Sequence, residues 1–315
     1  MLKSEMNSKT KSLSFGNRLK KDLRRNYRSY ILLLPVVAFY LIFCYKPMYG
    51  AIIAFKDYRP ALGVWDSQWV GLQHFKIFFE SPDFPVIIKN TLIISISSIV
   101  FVFPTSIILA LLFDQLKFKR FKSLAQSVSY LPHFISLVVV CGMIKTFVAR
   151  GGVIQQLVAA FGGPDAGLLN SPEYFVPIYI LSEIWQTVGW SSIIYLAALS
   201  GINQDLYEAA QIDGANKWKQ VIHVTIPGIM PTIVIMFILK MGSVFNVGYE
   251  KIILLYNENI YETSDVINSY VYRVGLTRQS WSYTSAVGIF NSVINLIIII
   301  ITNKLADKYT ETSLW

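Results

Sequence analysis

The sequence predicts an all-α protein, a polytopic membrane bundle of six transmembrane helices. Three observations predict it. The 315-residue chain is 54% hydrophobic and only 15% charged, against about 25% charged in an ordinary soluble domain. Apolar runs near 20 residues recur along it, the length that crosses a hydrocarbon core of ~30 Å. Its net charge of +9 is concentrated in alternate connecting segments, as the positive-inside bias requires.

The first span runs about Tyr30–Phe55, with an interruption expected near its outer end at Lys46-Pro47. Its first apolar run could imitate a signal peptide, but it lacks a small-residue cleavage site and follows a long charged region. It therefore reads as a retained span. The next spans are about Ile87–Phe113, Leu124–Val148, Phe175–Leu199, Ile229–Tyr249 and Ser285–Ile301. The chain divides into a basic tail (1–28), the first span with an outer segment (29–86), a core (87–303) and a C-terminal tail (304–315). Cys44 and Cys141 both lie in apolar runs, without the spacing of a disulfide framework or a zinc site.

Lysine and arginine counts orient the spans. Residues 1–28 hold nine against two acidic residues, and Lys117, Lys119, Arg120, Lys122, Lys217, Lys219, Lys304 and Lys308 follow in alternate segments. The opposite segments hold only Lys56, Arg59, Lys76, Arg150, Lys251, Arg273 and Arg278. Both termini are thus expected in the cytoplasm. The basic tail reads as a topology signal beside a span, not as a nucleic-acid arm.

Two outer segments are too long for turns. Lys56–Val86 carries Trp65, Trp69, Phe75, Phe78 and Phe79; Glu250–Thr284 carries Tyr256, Tyr261, Tyr270, Tyr272, Trp281 and Tyr283. Such residues suit an interfacial anchor or a docking surface for an outside partner. Neither an internal repeat nor a low-complexity stretch is visible.

Covalent chemistry has no visible seat. The chain lacks a Gly-Lys dipeptide, hence a nucleotide P-loop, and lacks the HExxH and GxSxG motifs. His74, His133 and His223 are far apart and read as structural. The chain is expected to be no enzyme and to hold neither metal nor cofactor.

Between the fourth and fifth spans lies a polar insert, 203–228. Asp205 stands three residues before Glu208, the spacing of a capping box. About two helical turns follow, then Asp213-Gly214 as a break. Asn216 can cap a second short helix to about Val224. Pro227 and Pro231 sit where the fifth span is expected to begin, a position that tolerates missing amide donors.

This insert resembles the signature of binding-protein-dependent ABC importer permeases: Glu-Ala-Ala, three residues, Gly, nine residues, then Ile-x-Leu-Pro. Here it reads Glu208-Ala209-Ala210, Gly214, and Val224-Thr225-Ile226-Pro227, with Val and Ile in place of Ile and Leu. The resemblance covers the core. Tyr207 and Ile212-Asp213-Gly214-Ala215 look like the sugar-importing branch. Pro47-Met48-Tyr49-Gly50, Ala54-Phe55-Lys56-Asp57-Tyr58, Tyr270–Leu276 and Ser313-Leu314-Trp315 are similar to permeases for large oligosaccharides of the aldouronate and polysaccharide-fragment type, which are bacterial.

The resemblance implies a type I ABC importer permease fold in the cell membrane. It implies that Tyr207, Glu208, Ala209, Ala210, Asp213 and Gly214 couple to an ATPase, with Glu208 either contacting that partner or only capping its own helix. It also implies the partners: a second, homologous permease, two ATPase subunits holding ATP and Mg, an extracellular solute-binding protein and an oligosaccharide.

Charges inside spans are costly and mark functional candidates. Glu183 and Lys240 both fall ~12–14 Å below the outer surface at ~1.5 Å per residue and are expected to pair across neighbouring spans. They could serve as a structural pair or line a path, and Lys240 could snorkel. Glu183, Gln186 and Trp190 share one helix face, as do Ser243 and Asn246. Polar groups beside an aromatic plane suit a sugar, and equally suit span packing. An ion-coupled secondary transporter is the alternative; it favours inverted repeats. A receptor or scaffold would not require the Glu208 insert.

Overall fold

The computed structural model describes Gly16 and residues 22–315. Of the basic tail 1–28, residues 1–15 and 17–21 lie outside the described residues. Helix α1 (Tyr27–Phe55) is continuous, wound as a π-helix over Tyr40–Tyr45 and as a 3-10 helix over Tyr49–Phe55. The interruption expected at Lys46-Pro47 is absent. Pro47 stands one residue beyond the π turn, where altered winding accommodates a missing amide donor.

A two-residue antiparallel ribbon follows, β1 (Lys56–Asp57) against β2 (Gln68–Trp69), enclosing α2 (Gly63–Asp66). Helix α3 (Gln73–Glu80) leads to α4 (Asp83–Gln115), which carries a π turn at Ser98–Val102. Next come α5 (Lys119–Tyr130), α6 (Leu137–Val148) and α7 (Val153–Ala160). Helix α8 (Pro172–Ser200) is followed by α9 (Gln204–Ile212) and α10 (Lys217–Met241). Short helices α11 (Tyr249–Leu255), α12 (Tyr261–Ser264) and α13 (Ile267–Tyr272) precede α14 (Trp281–Thr310).

Among the described residues, five stretches are long and apolar enough to span a bilayer: α1, α4, α6 with α7 as Leu137–Ala160, α10 and α14. Helix α8 has 29 residues, ~43 Å of rise, and is less apolar because Ser182, Glu183, Gln186 and Ser192 interrupt it. Six long elements therefore form the bundle.

Two expected spans have different bounds. The third, expected as one helix over Leu124–Val148, is broken. Helix α5 passes into a 3-10 turn at Leu131–Phe134, and Ile135 and Ser136 are extended in ψ. Pro132 withholds an amide donor there, and the Ser136 carbonyl starts the next helix by accepting from Val140 N. The fifth, expected over Ile229–Tyr249, begins a full three turns earlier and stops at Met241. Residues 242–248 then run as tight turns without helix.

Close backbone packing sets the position of α8. A Cβ on Gly189 would collide with the Ser129 carbonyl of α5, so only glycine lets these two helices meet there. Apolar packing continues on both sides, with Ala110, Tyr195 and Ile229 joining α4, α8 and α10.

The two aromatic outer segments part company. In the first, Phe78 is buried but Trp65 and Trp69 remain 75% and 60% exposed, Trp69 stacked on Phe55 and Trp65 tilted against Tyr49. The 249–277 insert is instead built into the bundle. Ile252, Leu255, Ile260, Val266 and Ile267 are buried. Asn90 of α4 donates to the carbonyls of Glu262 and Asp265, each at 3.0 Å. Ile267 N donates to Thr91 Oγ1 at 3.1 Å. Arg273 pairs with Asp265 and lies 4.7 Å from the Tyr261 ring centre. Tyr270, buried, meets Tyr283 hydroxyl to hydroxyl at 3.0 Å.

Candidate functional site

A cavity of about 340 Å³ opens between α4, α8, the end of α10 and α11. That is the low end of the ~300–1,000 Å³ range of small-molecule sites. Helix periodicity puts Tyr179, Glu183, Gln186 and Thr187 of α8 on its wall. Lys240 comes from the last turn of α10, and Ser243, Asn246 and Gly248 from the non-helical stretch after it. Ser95 and Ser98 enter from α4, and Glu250 and Lys251 from α11.

Glu183 is held from two neighbouring spans. Ser98 Oγ donates to Glu183 Oε1 at 3.2 Å, and Lys240 Nζ lies 3.8 Å from the same oxygen. The Glu183 side chain is 19% exposed and that of Lys240 37%. An ion pair this loose and partly wet leaves both groups able to meet a polar ligand.

The helix break at 242–248 is braced by side chains from other elements. Ser95 Oγ donates to the Val244 carbonyl. Asn295 Oδ1 accepts from Phe245 N at 3.0 Å, and Asn291 Nδ2 donates to Asn246 Oδ1 at 2.8 Å. Irregular backbone at membrane depth survives only where protein groups or a cavity satisfy it. The first two bonds satisfy it, and the third holds the Asn246 side chain at the cavity wall, where Ser243 also lies.

Of the six sequence-expected path residues, five share this wall: Glu183, Gln186, Lys240, Ser243 and Asn246. Trp190 does not. It stacks on His133, ring centres 4.7 Å apart and planes 3° apart, beyond the cavity along α8. Position 190 lies two turns, ~10 Å, further along the same face than Glu183, where the 3-10 turn after α5 offers a flat partner. Sequence reasoning missed Ser98, Lys251 and the bracing Asn291 and Asn295. The asparagines had a signal: two amides at i, i+4 inside an otherwise apolar run.

The 203–228 insert occupies the far end of α8. Asn203, not Asp205, caps α9: its Oδ1 accepts from Asp205 N at 3.1 Å. Glu208 lies mid-helix and exposed, so it caps nothing. Asp213 closes the helix, its amide donating to the Ala209 carbonyl at 3.0 Å. Gly214 has φ +74°, a left-handed conformation costly for residues with a Cβ. Ala215 N then donates to the Ala210 carbonyl at 2.9 Å.

Asn216 does cap the next element, accepting from Lys219 N at 2.9 Å. That element is no separate short helix. It is the start of α10, which passes through a π turn at Val221–Thr225 and continues past Pro227 and Pro231. The π turn redistributes the carbonyls that the prolines leave unpaired. Tyr207 fastens α9 to α10, its hydroxyl 3.1 Å from Thr225 Oγ1.

Among the described residues no group of His, Cys, Asp or Glu could hold a metal ion. His74 and His223 each contact a backbone carbonyl, of Lys56 and Lys219.

Comparison with known proteins completes the description. The model of the binding-protein-dependent transport system inner membrane component family matches residues 90–311. The polygalacturonan/rhamnogalacturonan transport system permease protein YteP of Bacillus subtilis (strain 168) is 40% identical over 91% of this chain and 89% of its own length. A crystal structure of a bacterial ABC transporter involved in the import of the acidic polysaccharide alginate matches with a TM-score of 0.86 and 42% identity, covering 93% of this chain and 99% of that one. The same transporter in complex with alginate pentasaccharide-bound periplasmic protein matches with a TM-score of 0.86 and 42% identity over 94% and 100%. With its family signature, its six long elements and its cavity, the chain belongs to the inner-membrane components of binding-protein-dependent transport systems, as a permease subunit of an ABC importer.

Proposed function

We propose that this chain forms half of an oligosaccharide path and draws its energy from a separate ATPase docked on the 203–228 insert. One observation carries the coupling half of this reading. Around exposed Glu208, Ile212 is 87% exposed, Trp218 77% and Leu206 53%. Large apolar side chains on a short polar helix beyond a span have no lipid to meet and mark a protein contact. The small Ala209 and Ala210 allow close approach, and Gly214 sets the bend between the two helices.

The wall of Glu183, Gln186, Lys240, Ser243 and Asn246 supplies donors and acceptors for sugar hydroxyls. Relatives whose names carry polysaccharide transport support an oligosaccharide as cargo. The path is completed by a second, homologous permease, and two ATPase subunits hold ATP and Mg. A solute-binding protein delivers the sugar from outside, and the basic segments favour cytoplasmic termini. ATP-driven closure of the ATPases pulls on α9 and the start of α10. The Tyr207–Thr225 contact passes that motion to the spans, so access alternates.

Purification of the tagged chain with its ATPase tests this. Gly214→Pro forces φ to about −65° and is expected to abolish ATPase co-purification and sugar uptake at unchanged membrane abundance. Retention of both in that variant overturns the coupling role.

A further inference from the structure

The cavity holds two ammonium groups whose surroundings differ. Lys240 has a carboxylate beside it, Glu183 at 3.8 Å. Lys251 is 6% exposed and, among the described residues, has no ion pair within 4.0 Å. Its Nζ donates to the Tyr179 carbonyl at 3.4 Å and lies 4.8 Å from the Tyr179 ring centre. An ammonium has three donors, so one long hydrogen bond and a ring face leave its capacity largely unused.

Burying a charge without a partner is expensive. Here the position is also well fixed, because Ile252 and Leu255 of the same short helix are fully buried. Lys251 forms part of the cavity wall, so a ligand in the cavity can supply the missing partner. The other two wall carboxylates do not. Glu183 acts on Lys251 only through space, from beyond 4.0 Å, and is engaged at contact by Lys240 and Ser98, and Glu250 is exposed.

We infer that Lys251 is a specificity-determining residue that receives a carboxylate of the transported sugar, so that the cavity prefers uronate-bearing oligosaccharides over neutral ones. The inference rests on the reading of the cavity as a sugar path. Hydroxyls of the same unit meet Gln186, Ser243 and Asn246, and the Glu183–Lys240 pair offers both polarities beside them. Lys251 thus reads charge, while the rest of the wall reads hydroxyls.

The test uses the purified permease–ATPase complex without binding protein, so that selectivity of another chain does not enter. Calorimetry measures trigalacturonate and its carboxyl-reduced, neutral counterpart. Wild type is expected to bind the acidic sugar at least about tenfold more tightly, in line with a charged hydrogen-bonded contact. Lys251→Met is expected to bring the two affinities together by weakening only the acidic one, and Lys251→Arg to keep most of the preference. An unchanged preference in Lys251→Met overturns the inference. So does equal weakening of both sugars with a lowered unfolding temperature, which marks a structural lysine. If wild type binds neither sugar yet proteoliposomes with binding protein import either, the cavity assignment falls while the importer reading stands. Failure of both assays removes the oligosaccharide reading itself.

Discussion

Two polar inserts interrupt the apolar spans, and they are built in opposite ways. The 203–228 insert is held by contacts close in sequence: Asn203 to Asp205, Asn216 to Lys219, Tyr207 to Thr225. Its large apolar side chains point outward. The 249–277 insert is held by contacts remote in sequence, from Asn90 and Thr91 of α4 and from Tyr179 of α8. Ile252, Leu255, Ile260, Val266, Ile267 and Tyr270 of it are buried. A segment that keeps its shape from local bonds can leave a whole face free for another subunit. A segment that borrows its shape from the bundle becomes part of the bundle, and here it contributes a cavity wall.

The comparison can be broken by substitutions whose effects on stability should separate the inserts. The largest effect is expected from Asp265→Ala in the buried insert. It strands the Arg273 guanidinium, and breaking one side of a buried pair costs about 3–5 kcal/mol. Thermal unfolding of the detergent-purified chain should show it, and a loss below about 1 kcal/mol would mean the pair is effectively solvated. Asn216→Ala removes a helix cap from the exposed insert and should cost about 1 kcal/mol in the same assay. Ile212→Asp should change stability least, by under about 0.5 kcal/mol, yet weaken ATPase co-purification strongly. If it lowers the unfolding temperature as Asp265→Ala does, the two inserts do not differ in kind.

The difference also explains what could be read from the amino acids alone. The family signature, the Gly214 bend and the Asn216 cap are local chemistry, legible within a dozen residues. The cavity was partly legible, because Glu183 and Lys240 are conspicuous in apolar runs and their depths match. The end of α10 was not. Residues 242–248 read as more span, and outside the helix Ser95 and Asn295 capture their backbone while Asn291 holds the Asn246 side chain, all from other spans. Pro227 and Pro231 misled in the other direction. They suggested a helix start, whereas the π turn before them lets one helix run through. Lys251 was counted only as a loop charge, since its burial depends on how α11 folds back onto α8.

The contact at Gly189 has a mechanical consequence. Helix α8 meets α5 backbone to backbone at Gly189, a fulcrum about 26 Å from its Pro172 end and about 17 Å from its Ser200 end. Glu183 lies ~9 Å from that fulcrum on one arm, and the α9 junction lies at the tip of the other. A tilt of about 5° on the fulcrum carries the Ser200 tip ~1.4 Å and Glu183 ~0.8 Å in the opposite direction. The helix therefore has a gear ratio of roughly two to one. On the proposed coupling, a push at the exposed insert would reach the cavity reduced in amplitude and multiplied in force.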